Sequence, residues 1–121
     1  MRVLVLLSIA ALALLLAACS GEGDGDGGGG RELPITVSAQ GCAPERITAQ
    51  PGEKLTFVVK NESSTDRELE GIEGTRLEEV LVPAGRTRNI NYTMPAGGAT
   101  QKLKCYLPGG PSTIIELAPA K

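Results

Sequence analysis

The sequence contains no histidine among its 121 residues, and this absence narrows the possible chemistry more than any motif does. Imidazole is the base of Ser-His and Cys-His nucleophiles, and it is a ligand in His-ligated zinc sites and in the His₂Cys copper site. These kinds of site are therefore excluded. Ser-Lys and carboxylate mechanisms remain open in principle, but no Ser-x-x-Lys occurs after residue 19. We therefore expect a binding or interaction module and not an enzyme.

Aromatic side chains are also scarce, since Phe57, Tyr92 and Tyr106 are the only three. Surfaces that stack on nucleobases or sugars need aromatic rings, so the sequence does not favour such a surface. An excess of one charge is lacking too, because residues 31–121 carry 11 basic and 11 acidic side chains. A balanced domain has no net field with which to hold nucleic acid or an anionic membrane surface. We expect neither nucleic acid nor carbohydrate as a partner.

The N-terminal segment has the layout of an export signal. Arg2 precedes an apolar run of 14 residues from Val3 to Leu16, which is too short for a membrane-spanning helix of roughly 20 residues. Leu16-Ala17-Ala18-Cys19 resembles the lipobox of bacterial lipoproteins. The resemblance implies that residues 1–18 are a signal peptide. It also implies that Cys19 carries acyl chains such as palmitate, which anchor the protein to the extracytoplasmic face of a membrane in the bacterial envelope. The alternative is an ordinary cleaved signal in which Cys19 is incidental.

Residues 19–33 connect the lipid to the domain and are rich in Gly and Asp. The 11 residues Ser20–Gly30 cannot bury apolar surface, so we expect a flexible tether with a root-mean-square span of about 18 Å. The folded domain is expected over residues 34–121.

Short runs with a period of two, punctuated by Pro and Gly, follow Pro34. Ile35, Val37 and Ala39 alternate with polar residues, and Lys54–Lys60 is the best strand candidate in the chain. Residues 67–72, 76–82, 86–94, 99–105 and 112–117 fit the same pattern, although Leu77–Val82 also fits a short helical turn. The sequence thus predicts an all-β domain, a single Greek-key β-sandwich of seven or eight strands.

A dense group of charges lies between Glu62 and Glu79. Its acidic members could form a rim that collects cations, but Arg67 and Arg76 interrupt them. We expect a solvated face there.

Several short motifs are spread over the predicted domain: Ile35–Ala39, Gly41-Cys42-Ala43-Pro44, Ile47, Pro51-Gly52-Glu53, Leu55–Val59 with Asn61, Pro83-Ala84-Gly85 and Cys105-x-x-Pro108-Gly109. Together they resemble a cupredoxin-like domain, and most closely the EfeO type, named for the periplasmic component of a bacterial iron-uptake system. Ordinary cupredoxins supply His and often Met beside the late cysteine, and these ligands are absent here. The resemblance to the EfeO type implies instead that paired cysteines and carboxylates bind a metal, either copper or iron. Cys42, Glu68 and Cys105 are at the matching positions, and Glu79 is a further candidate.

Cys42 and Cys105 are the only cysteines left if Cys19 carries the lipid. In an oxidising compartment such a pair usually forms a disulfide, and the loop of about 64 residues that it closes predicts roughly 4 kcal/mol of stabilisation. As thiolates the two residues could instead bind Cu(I), Zn²⁺ or Fe²⁺, with Glu68 completing the ligand set. The disulfide and the metal site exclude each other. We expect a monomer that contacts the membrane through its lipid, and the sequence does not indicate a protein partner.

Replacing Cys19 by Ala should release the protein from the membrane, because no other residue of the lipobox can carry the acyl chains. The measurement is fractionation of membranes and soluble material, together with the intact mass of each form. Cys42→Ala is the matched control and should stay in the membrane fraction. An acylated, membrane-bound Cys19→Ala variant would contradict the lipoprotein interpretation.

Overall fold

The structure is a computed structural model that describes residues 30–121, so the predicted signal peptide, Cys19 and most of the tether lie outside the described residues. Nine strands make up the regular structure of this part of the chain, and it contains no helix. The all-β prediction is therefore confirmed, with one or two more strands than expected. The strands are β1 Arg31–Ser38, β2 Gly41–Ala43, β3 Arg46–Ala49, β4 Lys54–Asn61, β5 Arg67–Ile72, β6 Val80–Val82, β7 Thr87–Thr93, β8 Gln101–Tyr106 and β9 Ser112–Pro119.

The strands form two sheets, one with the order β2-β1-β4-β7 and the other with the order β3-β9-β8-β5-β6. Pairing is parallel between β1 and β4 and between β3 and β9, and it is antiparallel elsewhere. Neighbours in a sheet are mostly not neighbours in sequence, so the chain crosses repeatedly from one sheet to the other. No helix long and apolar enough to cross a bilayer occurs in residues 30–121.

Alternation of apolar and polar residues places the core between the two sheets, because successive side chains of a strand point to opposite faces. Ile35 and Phe57 are fully buried in the first sheet, and Leu103 and Leu117 are fully buried in the second. The ring of Phe57 stacks against Tyr92 with centroids 5.8 Å apart. Each such aliphatic or aromatic side chain contributes roughly 1.5–3 kcal/mol by leaving water, so the two facing layers provide the main stabilisation.

Several element boundaries differ from the sequence prediction. β1 begins at Arg31, three residues before Pro34, because Arg31–Leu33 continues the parallel pairing onto Leu55–Phe57 of β4. The prediction for Ala39 was wrong: it is exposed in the turn after β1. Within Leu77–Val82, only Val80–Val82 forms a strand.

The chain enters the sandwich at the end where β4 starts. Gly30 donates its N–H to Thr56 Oγ1 at 3.3 Å, and a Cβ at position 30 would overlap the carbonyl oxygen of Lys54. Close backbone contact therefore fixes where the tether joins the domain. We call this end, with Gly30 and Lys54, the tether end, and the opposite end, where β4 finishes at Asn61, the distal end.

Asn61 holds the two sheets together at the distal end. Its side chain is completely buried, and Nδ2 donates to the carbonyl oxygens of Thr65 at 2.9 Å and of Val82 at 2.8 Å. Its Oδ1 accepts from the backbone N–H and the hydroxyl of Ser63 at 3.0 and 2.7 Å. Since Asn61 belongs to β4 and Val82 to β6, one amide links a strand of each sheet.

Asn61→Asp should destabilise the domain by about 2–4 kcal/mol, because a carboxylate cannot donate to two carbonyl oxygens and its charge would be buried. The free energy of unfolding in urea is the measurement. Asn89→Asp makes the same chemical change at an exposed position of β7 and should alter the free energy by no more than about 0.5 kcal/mol. Equal effects of the two substitutions would contradict the role given to Asn61.

Candidate functional site

Cys42 and Cys105 form a disulfide that joins the two sheets near the distal end. Cys42 lies on β2 at the edge of the first sheet, and Cys105 lies on β8 inside the second sheet. Their Cα atoms are 6.3 Å apart, and the two residues are 5% and 3% exposed. The structure thus joins the two residues that the sequence analysis paired, as its disulfide alternative expected.

Thr113 holds β2 against the second sheet beside the disulfide. The N–H of Cys42 donates to Thr113 Oγ1 at 3.3 Å, and Thr113 is the register partner of Cys105 on β9. Gly41 has a φ of 135°, and a Cβ there would overlap Thr113 Oγ1. Glycine is therefore required before Cys42 for this approach. No sequence motif predicted a role for Thr113, and the only signal for it was the glycine next to the cysteine.

Glu68, the predicted carboxylate ligand, lies on the other face of the second sheet. Leu69 is the register partner of Cys105, and Glu68 is the partner of Tyr106. Directly paired residues share a face and successive residues alternate, so Glu68 and Tyr106 point outward while Cys105 points into the core. The structure brings the two cysteines together but does not bring Glu68 to them.

Glu79 also belongs to the outer face. Tyr106 donates its hydroxyl hydrogen to Glu79 Oε2, and this hydrogen bond, followed by one to Glu68, raises the pKa of Tyr106. Lys104 lies over the ring of Tyr106, 4.2 Å from its centroid, and its Nζ is 3.5 Å from Glu70 Oε1. The outer face is thus a mixed cluster of opposite charges around one tyrosine, as expected for a solvated surface.

The donors that could bind a metal are therefore divided between the two faces of a sheet. Within residues 30–121 no three residues among His, Cys, Asp and Glu come close enough together to hold an ion. The two sulfurs converge inside the sandwich, and the carboxylates of Glu68 and Glu79 lie outside it. This separation follows from the alternation of side chains along β5. Leu69 pairs with Cys105, so its neighbour Glu68 points to the opposite face.

The tether end carries an open cavity of about 730 Å³. Met94 and Tyr92 form its apolar wall, and Arg76 and Gln101 are among its polar groups. Tyr92 donates to Gln101 Oε1 at 3.2 Å, and burial raises the pKa of Tyr92. The N–H of Met94 donates to the carbonyl oxygen of Glu53, beside the start of β4. Met94 therefore lies at the opposite end of the sandwich from the disulfide.

Several solved structures have a similar fold, and some of them are described as copper proteins. Auracyanin from Roseiflexus castenholzii has 16% sequence identity and a TM-score of 0.59, with 78% of this chain and all of that chain covered. Auracyanin A from Chloroflexus aurantiacus, described as a "blue" copper protein, has 18% identity and a TM-score of 0.58, covering 74% of this chain and 100% of that one. Copper nitrite reductase from Nitrosomonas europaea has 11% identity and a TM-score of 0.60, with 77% of this chain and 50% of that chain covered. At these identities the likeness shows the fold alone.

The sequence itself matches a family model, that of the cupredoxin-like domain, over residues 7–99. No curated protein matches the chain. The matched region covers most of the chain and includes β1 to β7 and Cys42. The cupredoxin-like domain expected from the sequence motifs is thereby confirmed, while the EfeO type stays a prediction. The chain belongs to the cupredoxin-like domain family.

Proposed function

We propose that the protein is a lipid-anchored, extracytoplasmic module of the cupredoxin-like family, closed by a disulfide and used for interaction in the bacterial envelope. The observation that carries this proposal is the buried disulfide between Cys42 and Cys105, which joins the two sheets. An oxidised pair is what export to an oxidising compartment would produce. It therefore agrees with the lipobox at Leu16–Cys19, which is the sequence evidence for an anchor.

The donor set does not fit the type 1 copper site that members of this fold family can carry. Such a site uses two imidazoles, a thiolate and a weak axial ligand such as Met. The whole chain has no histidine, both cysteines of the domain are joined to each other, and Met94 lies at the other end of the sandwich. These three facts together support a module that does not use type 1 copper.

The ligand set implied by the EfeO type fits only in part. Reduction of the disulfide would give two thiolates that already converge, and soft sulfur pairs favour Cu(I). The third expected ligand, Glu68, points away from Cys105 on the opposite face of the sheet. A reduced form that binds copper or iron is therefore the second candidate function, favoured by the convergence of the two sulfurs alone.

The position of Gly30 supports an orientation relative to the membrane. A tether that begins at a lipid on Cys19 would join the domain at the tether end, where Gly30 contacts Lys54 and Thr56. The eight residues of β4 then separate the two ends by about 26 Å, at 3.3 Å for each residue. The distal end, with the disulfide, would be presented to the envelope rather than to the lipid surface.

Purification of the full-length protein from membranes without reductant should give material with no free thiols and no stoichiometric copper, iron or zinc. Thiol labelling under denaturing conditions and elemental analysis are the measurements. Two free thiols with one bound metal ion per chain would contradict the proposal and favour the second candidate. Loss of that metal in Glu68→Ala would support the EfeO type specifically, with Glu70→Ala as the control on the same strand.

Replacing both cysteines, as Cys42→Ala together with Cys105→Ala, should lower the free energy of unfolding by about 4 kcal/mol, because the cross-link closes a long loop in the unfolded chain. Such a loss is comparable with the whole stability of a small domain. The wild-type protein unfolded in urea with and without reductant provides the matched control, since reduction should reproduce most of the effect. Equal unfolding free energies for wild type and double variant would contradict a stabilising disulfide.

A further inference from the structure

Arg67 is a charged residue in a core position. It is the first residue of β5 and shares the inward face of that strand with Leu69, and only 7% of it is exposed. Its register partner on β6 is Val82, which is 1% exposed. The expectation that this charged stretch forms a solvated face was therefore wrong for Arg67. The strand alternation that turns Glu68 outward turns Arg67 inward.

No acidic side chain forms an ion pair with Arg67 within the described residues. The five ion pairs of residues 30–121 involve other side chains. Asp66, the preceding residue, accepts from the N–H of Ala84 at 2.9 Å instead, and Glu68 faces outward towards Tyr106. Arg67 Nε is the one buried side-chain nitrogen or oxygen in this part of the chain that lacks a hydrogen-bond partner. A buried guanidinium without a counterion is costly, so its persistence requires an explanation.

The location of Arg67 is the distal end of the sandwich. Because Glu68 pairs with Tyr106, the last residue of β8, Arg67 lies beside the following turn, Leu107–Pro111. On its other side, β6 leads directly into the turn that begins at Pro83. Arg67 thus begins β5 between two turns at the distal end. Within residues 30–121 no ion pair involves its guanidinium, and 7% of the residue is exposed.

We propose that Arg67 forms a binding site for a small oxyanion, either a carboxylate or a phosphate, at the distal end. A guanidinium presents paired N–H donors in a fixed plane that matches two oxygens of such a group. The bound anion supplies the negative charge that Arg67 lacks, since neither Asp66 nor Glu68 pairs with it. The site goes beyond the anchored module proposed above and is independent of Cys19 and of the disulfide, so either proposal can fail without the other.

Nuclear magnetic resonance of the wild-type domain with its disulfide intact tests the site directly. The side-chain Nε–H resonance of Arg67 is followed while inorganic phosphate, acetate or a short peptide with a free C-terminal carboxylate is added at ionic strength held constant with chloride. We expect a saturable shift for Arg67 and none for Arg86, which is exposed at the same end. Arg67→Lys should weaken the binding roughly tenfold, because an ammonium cannot bind two oxygens in parallel.

The thermal midpoint provides a second readout that does not need a resonance assignment. A saturating oxyanion should raise Tm of the wild type by about 5 °C, the size expected from ligand linkage in a small domain. The rise should vanish in Arg67→Gln and persist in Arg86→Gln. A response to acetate and peptide identifies a protein carboxylate as the ligand, and a response to phosphate alone identifies an inorganic oxyanion. No saturable shift of Arg67 with any of the three probes would overturn the proposal, as would equal shifts of Arg67 and Arg86.

Discussion

Joining two sheets across a small core is the constraint on which the rest of this molecule depends. A domain of about 90 residues buries only a modest part of its surface, so its core provides a narrow margin of stability. Polar and covalent links also cross between the sheets, in addition to the apolar contacts. The disulfide between Cys42 and Cys105 and the amide of Asn61 act at the distal end, and the hydrogen bond from Tyr92 to Gln101 acts at the tether end. Each end of the sandwich is thus closed by a specific link, and the core fills the space between them.

The covalent link also explains why a strand as short as β2 is retained at the edge of its sheet. Three residues provide few hydrogen bonds to β1, and an edge of this length would fray if nothing else held it. The disulfide connects Cys42 of β2 to β8, and the N–H of Cys42 donates to the hydroxyl of Thr113 on β9. Gly41 allows the approach because no side chain separates it from Thr113. The edge strand is therefore held by the opposite sheet as much as by its own.

The fold was largely predictable from the sequence because its signals are local. A period of two and Pro-Gly turns mark strands wherever they occur, and β5 was predicted with the bounds it has. The cysteine pair was predictable because the sequence has only three cysteines and one of them lies in the motif that resembles a lipobox. The face on which Glu68 lies was not predictable, because it depends on the register between β5 and β8, and a shift of one residue would have reversed it. The link that Asn61 makes between the sheets was not predictable, since its partner Val82 is 21 residues away in the sequence.

Successive residues of β5 point to opposite faces of the sheet, so Glu68 points away from the two sulfurs and Arg67 points into the core at the distal end. Metal ligation at this end would require inward donors with free lone pairs, yet the two sulfurs are joined to each other, the amide oxygen of Asn61 already accepts two hydrogen bonds from Ser63, and the guanidinium of Arg67 is a cation. A disulfide sulfur is a poor ligand for a cation, and a nearby positive charge disfavours one further. The electrostatics of the distal end therefore favour an anion over a metal ion. The inward side chains at this end, and not the arrangement of the strands, therefore set the charge preference.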